Sequence, residues 1–225
     1  MISFEAVFSL LQEHKAQDKA KKMETYMKNQ FAYLGIPAPQ RKRLVSPFLK
    51  ETKKDSAIDS AFVEQCWACP YRELQYVALD YLVSKKRILT PTDVPKLRIF
   101  AEQKSWWDTI DVFDRLVGGI ALKNPEVNTI LLQWSIDNNK WIRRIAIDHQ
   151  LLRKEQTNKE LLSEIIYNNL EHTDFFIRKA IGWALRDYSK TNPQWVCSFI
   201  EKHSNKMSKL SLREAKKYLK NGERN

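Results

Sequence analysis

Two stretches decide the architecture: WIRRIAIDHQLLRK, residues 141–154, and FFIRKAIGWALRDYSK, residues 175–190. Superposed on Trp141 and Phe176, they share an aliphatic residue one place on (Ile142, Ile177) and a small or aliphatic residue four places on (Ile145, Ala180). The register extends both ways. Tyr71, Trp106, Trp141, Phe176 and Ser211 follow one another at a constant step of 35, and four of the five are aromatic. A step of that length holds about two helices and is the signature of an α-solenoid, HEAT-like repeats being the nearest type. A lone helix pair cannot bury its apolar face, whereas stacked pairs share a continuous core.

Composition agrees. Only 5 residues are Gly and 8 are Pro, which disfavours a turn-rich β architecture, and no stretch sustains strand alternation. The expected helices run 4–14, 20–31, 38–50, 56–68, 71–84, 92–102, 106–122, 126–136, 140–153, 158–169, 174–188, 193–202 and 209–220, with GIPAPQ (35–40) as a clear breaker. The fold class expected is therefore all-α, a curved solenoid of HEAT-like repeats with a basic concave surface. It forms a single domain over residues 1–225, in which 1–50 lie outside the register and serve as an amino-terminal cap to repeats over 51–225.

Charge narrows the partners. The chain carries a formal +11 at pH 7, an excess that a polyanionic partner would explain and that a solvated basic surface would also produce. Clustering favours the first. The 141–154 and 175–190 repeats bring Arg143, Arg144, Arg153, Lys154, Arg178, Lys179 and Arg186, and PQRKRL (39–44) adds Arg41 and Arg43. Cations recurring on successive repeats would line a groove suited to a phosphate backbone. Trp183 stands beside Gly182, which admits close approach of a ligand or eases helix packing.

KSWWDTIDVFDRL, residues 104–116, holds the sharpest chemical signal. Trp107 and Asp111 sit one helical turn apart on the same face, a carboxylate beside a large aromatic surface. Trp107 occupies a register position that is aliphatic in three of five repeats, so a packing role is the alternative. At about 100° per residue, Trp107 and Asp111 share one flank of their helix, while Arg144 and Trp183 face a different sector of theirs. Twist between repeats would have to turn them toward one cleft.

These segments together resemble the AlkD-type DNA alkylation-repair glycosylases. The resemblance rests on SWWDTID, WIRR and IRKAIGWALR, with METYMKNQFAYLGIPAPQRKRL resembling that family's amino-terminal cap, and runs over nearly the whole chain. It implies HEAT-like repeats and excision of positively charged N3- and N7-alkylated purines from double-stranded DNA, with no need to draw the base into a pocket. By motif, Trp107 and Asp111 match the family's tryptophan and catalytic aspartate. Trp183 and Arg186 match the GWALR tryptophan and its arginine, Arg144 matches the arginine closing W-x-x-R, and Tyr26 matches a tyrosine of the cap. A position that holds lysine in some members is Leu152 here. The alternatives are a non-catalytic HEAT-repeat protein that binds distorted duplexes and a protein-binding adaptor.

No metal or nucleotide cofactor is expected: HExxH, Walker and Rossmann patterns are lacking, and CWAC (66–69) has no second cysteine pair, so Cys66 and Cys69 read as helix packing. No uncharged apolar run is long enough for a membrane span, and the first residues lack a basic leader. A monomer in a reducing cytoplasm is the expected setting.

Overall fold

Short polar residues cut the chain into helices. Ser3, Asp59, Asn139, Asn158, Asp174, Asn192 and Ser208 each accept a backbone N–H from the first turn of the helix that follows. Such caps satisfy donors that a helix start leaves unpaired. The computed structural model describes residues 2–219. Among the described residues there are thirteen α-helices and no strand. They are α1 (Phe4–Glu13), α2 (Gln17–Tyr26), α3 (Ala38–Glu51), α4 (Ser60–Ala68), α5 (Arg72–Ser84), α6 (Val94–Glu102), α7 (Trp107–Lys123), α8 (Val127–Trp134), α9 (Lys140–Asp148), α10 (Lys159–Tyr167), α11 (Phe175–Tyr188), α12 (Pro193–His203) and α13 (Lys209–Ala215). The fold is the expected all-α helical repeat.

Four helix ends lie four or more residues from expectation. α2 stops at Tyr26, five residues early, ahead of Lys28 and Asn29, which take positive φ values of 58° and 56°. α4 starts at Ser60 because Asp59 caps it. α9 stops at Asp148, five residues early, because Leu152 and Lys154 take positive φ values of 67° and 53°, which no helix contains. α13 ends at Ala215; the expected end at residue 220 lies outside the described residues.

The chain divides into two units, Met1–Leu89 and Thr90–Asn225. In the first, α1 packs on α3 and α4, and α5 on α3 and α4. Its core includes a buried carboxylate: Glu73 accepts the backbone N–H groups of Leu34, Gly35 and Ile36 at 2.9–3.1 Å. Gly35 makes that turn at φ +86°, and a Cβ there would sit 2.1 Å from the Ala16 carbonyl oxygen. Cys66 and Cys69 are buried thiols that form no disulfide, and burial pushes the Cys66 thiol up.

The second unit carries the repeat. Helices α7, α9, α11 and α13 begin at residues 107, 140, 175 and 209 and pack side by side in one row, while α8 and α10 pack on each other behind it. The register aromatics hold the row at one end. The rings of Trp106 and Trp141 lie 5.7 Å apart, those of Trp141 and Phe176 4.8 Å, and those of Trp106 and Phe176 5.4 Å. Polar bonds repeat the step. Arg153 donates to the Gly118 carbonyl, the Leu152 amide to Asp187, and Lys179 to Glu214, each across 35 residues. Two glycines allow the helices to close up: a Cβ at Gly118 would lie 2.1 Å from the His149 carbonyl oxygen, and one at Gly182 2.5 Å from the Glu214 Cβ. Gly182 therefore serves helix packing, one of its two expected roles.

Candidate active site

The row of α7, α9, α11 and α13 brings five of the sequence-predicted residues together. Asp111 lies in the second turn of α7 and faces α9, from which Arg144 reaches across. Arg144 Nε and Nη2 both donate to Asp111 Oδ1, at 2.9 and 2.8 Å, and Nη1 donates to the Phe176 carbonyl at 2.8 Å. Both bonds to the carboxylate fall on one oxygen. The guanidinium carbon also lies 5.2 Å from the centre of the Trp183 ring, on α11. Convergence of Asp111, Arg144 and Trp183 is thus achieved through one arginine, whose side chain lies between neighbouring helices.

From Trp183 the network continues to α13. Lys179 and Arg186, 5.7 and 5.8 Å from the Trp183 ring centre, donate to Oε1 and Oε2 of Glu214, each at 2.8 Å. Lys217 joins them at 2.9 Å. Burial raises the Glu214 carboxyl, but the bonds from Lys179 and Lys217 outweigh it and bring it down to about 2. Trp107, half-buried, opens α7 one turn before Asp111.

The accessibility of Asp111 decides whether it can act. Its side chain is 18% exposed, against 3% for Asp114 and 0% for Asp148. Burial pushes its pKa up, and Arg144 opposes the shift. Arg144 stays protonated: burial disfavours its charge, but Asp148 and Asp111 raise it on balance.

Other predicted residues are placed differently. The Arg144 side chain is only 2% exposed and is taken up by Asp111 and Phe176, so the expected phosphate contact gives way to a positioning role. Arg143 and Arg178 act as repeat-equivalent loop braces rather than groove lining. Arg143 Nε donates to the Asp137 carbonyl and Arg178 Nε to the His172 carbonyl, each six residues back. In the first unit Arg41 is buried, bound to Asp80 at 3.2 Å and lying 4.7 Å from the Tyr76 ring centre, which removes it from the expected DNA-binding set. Arg43 and Tyr26 are exposed. Lys179 and Arg186 keep a quarter of their side chains exposed beside Glu214.

Sequence reading missed Asp114, Asp148 and Glu214. The signals were present as helical spacing: Asp114 stands three residues after Asp111, Asp148 four after Arg144, and Glu214 one repeat after Lys179. Asp111, Asp114 and Asp148 place carboxylate oxygens within 4.8 Å of one another, the kind of group that can attract a divalent cation. Here Arg144 already brings a positive charge to the cluster, 2.8 Å from Asp111 and 3.6 Å from Asp148.

A family model described as DNA alkylation repair enzyme matches residues 7–219. A solved structure described as a predicted DNA alkylation repair enzyme from Enterococcus faecalis is 36% identical, with a TM-score of 0.84 over 91% of this chain and 96% of that one. No curated protein matches the chain. No helix among the described residues is long and apolar enough to cross a membrane.

Proposed function

Because the chain belongs to the DNA alkylation repair enzyme family, we propose that it is a monofunctional DNA glycosylase that hydrolyses the N-glycosidic bond of positively charged N3- and N7-alkylated purines in double-stranded DNA. The observation that carries this reading is the Asp111 carboxylate, partly exposed, with one oxygen held by Arg144 beside Trp183.

As the C1′–N bond breaks, its electron pair passes to the purine, which leaves neutral, and the sugar becomes an oxocarbenium-like cation. Asp111 stabilises that charge and orients the water that attacks C1′; the water's proton is released to the carboxylate or to solvent. Arg144 fixes the carboxylate through Oδ1, leaving Oδ2 to face the sugar. Trp107 and Trp183 supply aromatic faces that attract the cation and limit bulk water. A cationic purine needs no general acid, which suits a site built on one accessible carboxylate. Lesion charge, rather than base shape, then selects the substrate, so bulky cationic adducts are accepted and neutral ones are poor substrates. Lys179 and Arg186, together with the exposed Arg43 and Tyr26 of the first unit, are the proposed contacts to the DNA backbone.

The test is incubation with a duplex carrying one N7-methylguanine, followed by assay of free base. Release by the wild type and loss of release in Asp111→Asn, with duplex affinity kept, supports the reading. Duplex binding without release by the wild type would leave a non-catalytic binder of distorted DNA.

A further inference from the structure

The candidate site carries more acid than its chemistry uses. Under Asp111 lie Asp114, with its side chain 3% exposed, and Asp148, at 0%. Both Asp148 oxygens and Asp114 Oδ1 accept no hydrogen bond. The nearby cations are Arg144, 3.6 Å from Asp148, and Arg115, 3.9 Å from Asp114 and largely exposed. Three ionised carboxylates here would leave negative charge uncompensated in a buried place, which desolvation opposes strongly. Protons must therefore reside in the cluster. A carboxyl proton removes charge and supplies the donor that an orphaned oxygen lacks.

Resting on the glycosylase reading, we propose that Asp148 is a positioning residue for Asp111: by binding or releasing a proton it sets how much of the Arg144 charge is committed to Asp111, and so how much negative field Asp111 presents to the sugar. With Asp148 protonated, Arg144 neutralises Asp111 alone. When Asp148 releases its proton to solvent, two carboxylates divide one guanidinium, and Asp111 keeps more of its charge for the cation at C1′. Excision is faster in the second state.

The surroundings agree with such a titration. Burial raises Asp148 to about 7, with Arg144 pulling it down and Asp111 pushing it up. Asp114 is also raised, through burial and then Asp148 and Asp111. Asp148 faces the buried Arg144 at 3.6 Å, whereas Asp114 has the largely exposed Arg115 at 3.9 Å, so the proton that leaves is assigned to Asp148. On its own helix Asp148 faces Arg144 and is followed by His149, which burial holds neutral at about 3. From α7 come Asp111 and Asp114, and from α11 Trp183 covers Arg144 with Lys179 and Arg186 on the same ring. The charges that act on Asp148 are those of Arg144, on its own helix, and Asp111, on α7.

Asp148→Asn fixes the neutral state without changing shape. Single-turnover release of N7-methylguanine by the wild type is expected to rise several-fold as pH passes through about 7. The variant should stay at the wild type's low-pH rate, without that inflection, while binding duplex equally well. Asp114→Asn should keep the inflection. A wild-type inflection surviving in Asp148→Asn overturns the proposal. A second readout needs neither variant nor turnover: carbon-13 NMR of aspartate carboxyls in the free protein. The Asp148 resonance should titrate near neutrality and the Asp111 resonance should take a step at the same midpoint; absence of that shared step also overturns the proposal. If the shared step appears but the wild type releases no base, the charge coupling stands and the glycosylase reading fails.

Discussion

At Asp111 two demands oppose each other. The carboxylate must be ionised to meet a cation, yet it is sheltered enough that burial raises its pKa. Arg144 reconciles them, and it is therefore more important to the fold than to DNA contact. Arg144→Ala would leave Asp111 and Asp148 without their shared cation, and loss of one partner of a buried pair costs on the order of 3 kcal/mol. The expected outcome is a clear fall in thermal midpoint at neutral pH, with an unchanged salt slope for residual DNA binding; a stable variant with a shallower slope would restore the backbone-contact role. Asp148 also affects stability. Its folded pKa, about 7, lies above the ordinary 3.8, so the folded state binds the extra proton. Stability from this group is full below about 3.8 and is lost as pH rises toward about 7. Thermal melts should show Asp148→Asn gaining on the wild type as pH rises through that window. A constant difference across it would show that Asp148 does not titrate there.

At the scale of helices, close packing depends on small side chains and short polar links. Gly182→Ala would drive a methyl against Glu214 Cβ and the Ser211 carbonyl, at 2.5 and 3.1 Å. Overpacking of this kind costs about 1–3 kcal/mol, and because Glu214 anchors Lys179 and Arg186 it should weaken duplex binding as well. A variant as stable as the wild type would mean that α13 yields freely. Glu214 adds an acid limit. Its folded value of about 2 lies below the ordinary 4.5, so its stabilisation is full above about 4.5 and is lost as pH falls toward about 2. Glu214→Gln should flatten the acid side of the melting profile in that range. The sequence hides the helix-scale roles of Arg143 and Arg178. As letters they form a basic stripe on successive repeats, whereas in space each folds back onto a carbonyl of its own entry loop. Composition cannot distinguish a cation that waits for phosphate from one that ties a loop, because both need the same residue type. The early end of α9 was hidden for a related reason: HQLLRK keeps helical apolar spacing, and only the positive φ values after Leu151 break it.

For the molecule as a whole, +11 charge predicts duplex binding that weakens steeply with added salt, since bound phosphates release counterions. Affinity measured across a salt series should fall log-linearly; a flat series would favour a protein-binding adaptor. The step of about 35 was legible in the second unit, where the register aromatics Trp106, Trp141 and Phe176 record contact between neighbouring helices. The pairing of Trp107 with Asp111 on one helix was legible too, since it depends only on local geometry. Convergence of Asp111, Arg144 and Trp183 was not, since it depends on how adjacent helices turn against each other. The bonds that fix it reach about one repeat along the chain, as Arg144 does back to Asp111 and forward to Phe176, 33 and 32 residues away. A scaffold joined by links of that reach passes strain from each helix pair to its immediate neighbours. It can be extended by whole pairs without redrafting those already present, and a flaw in one pair is borne locally.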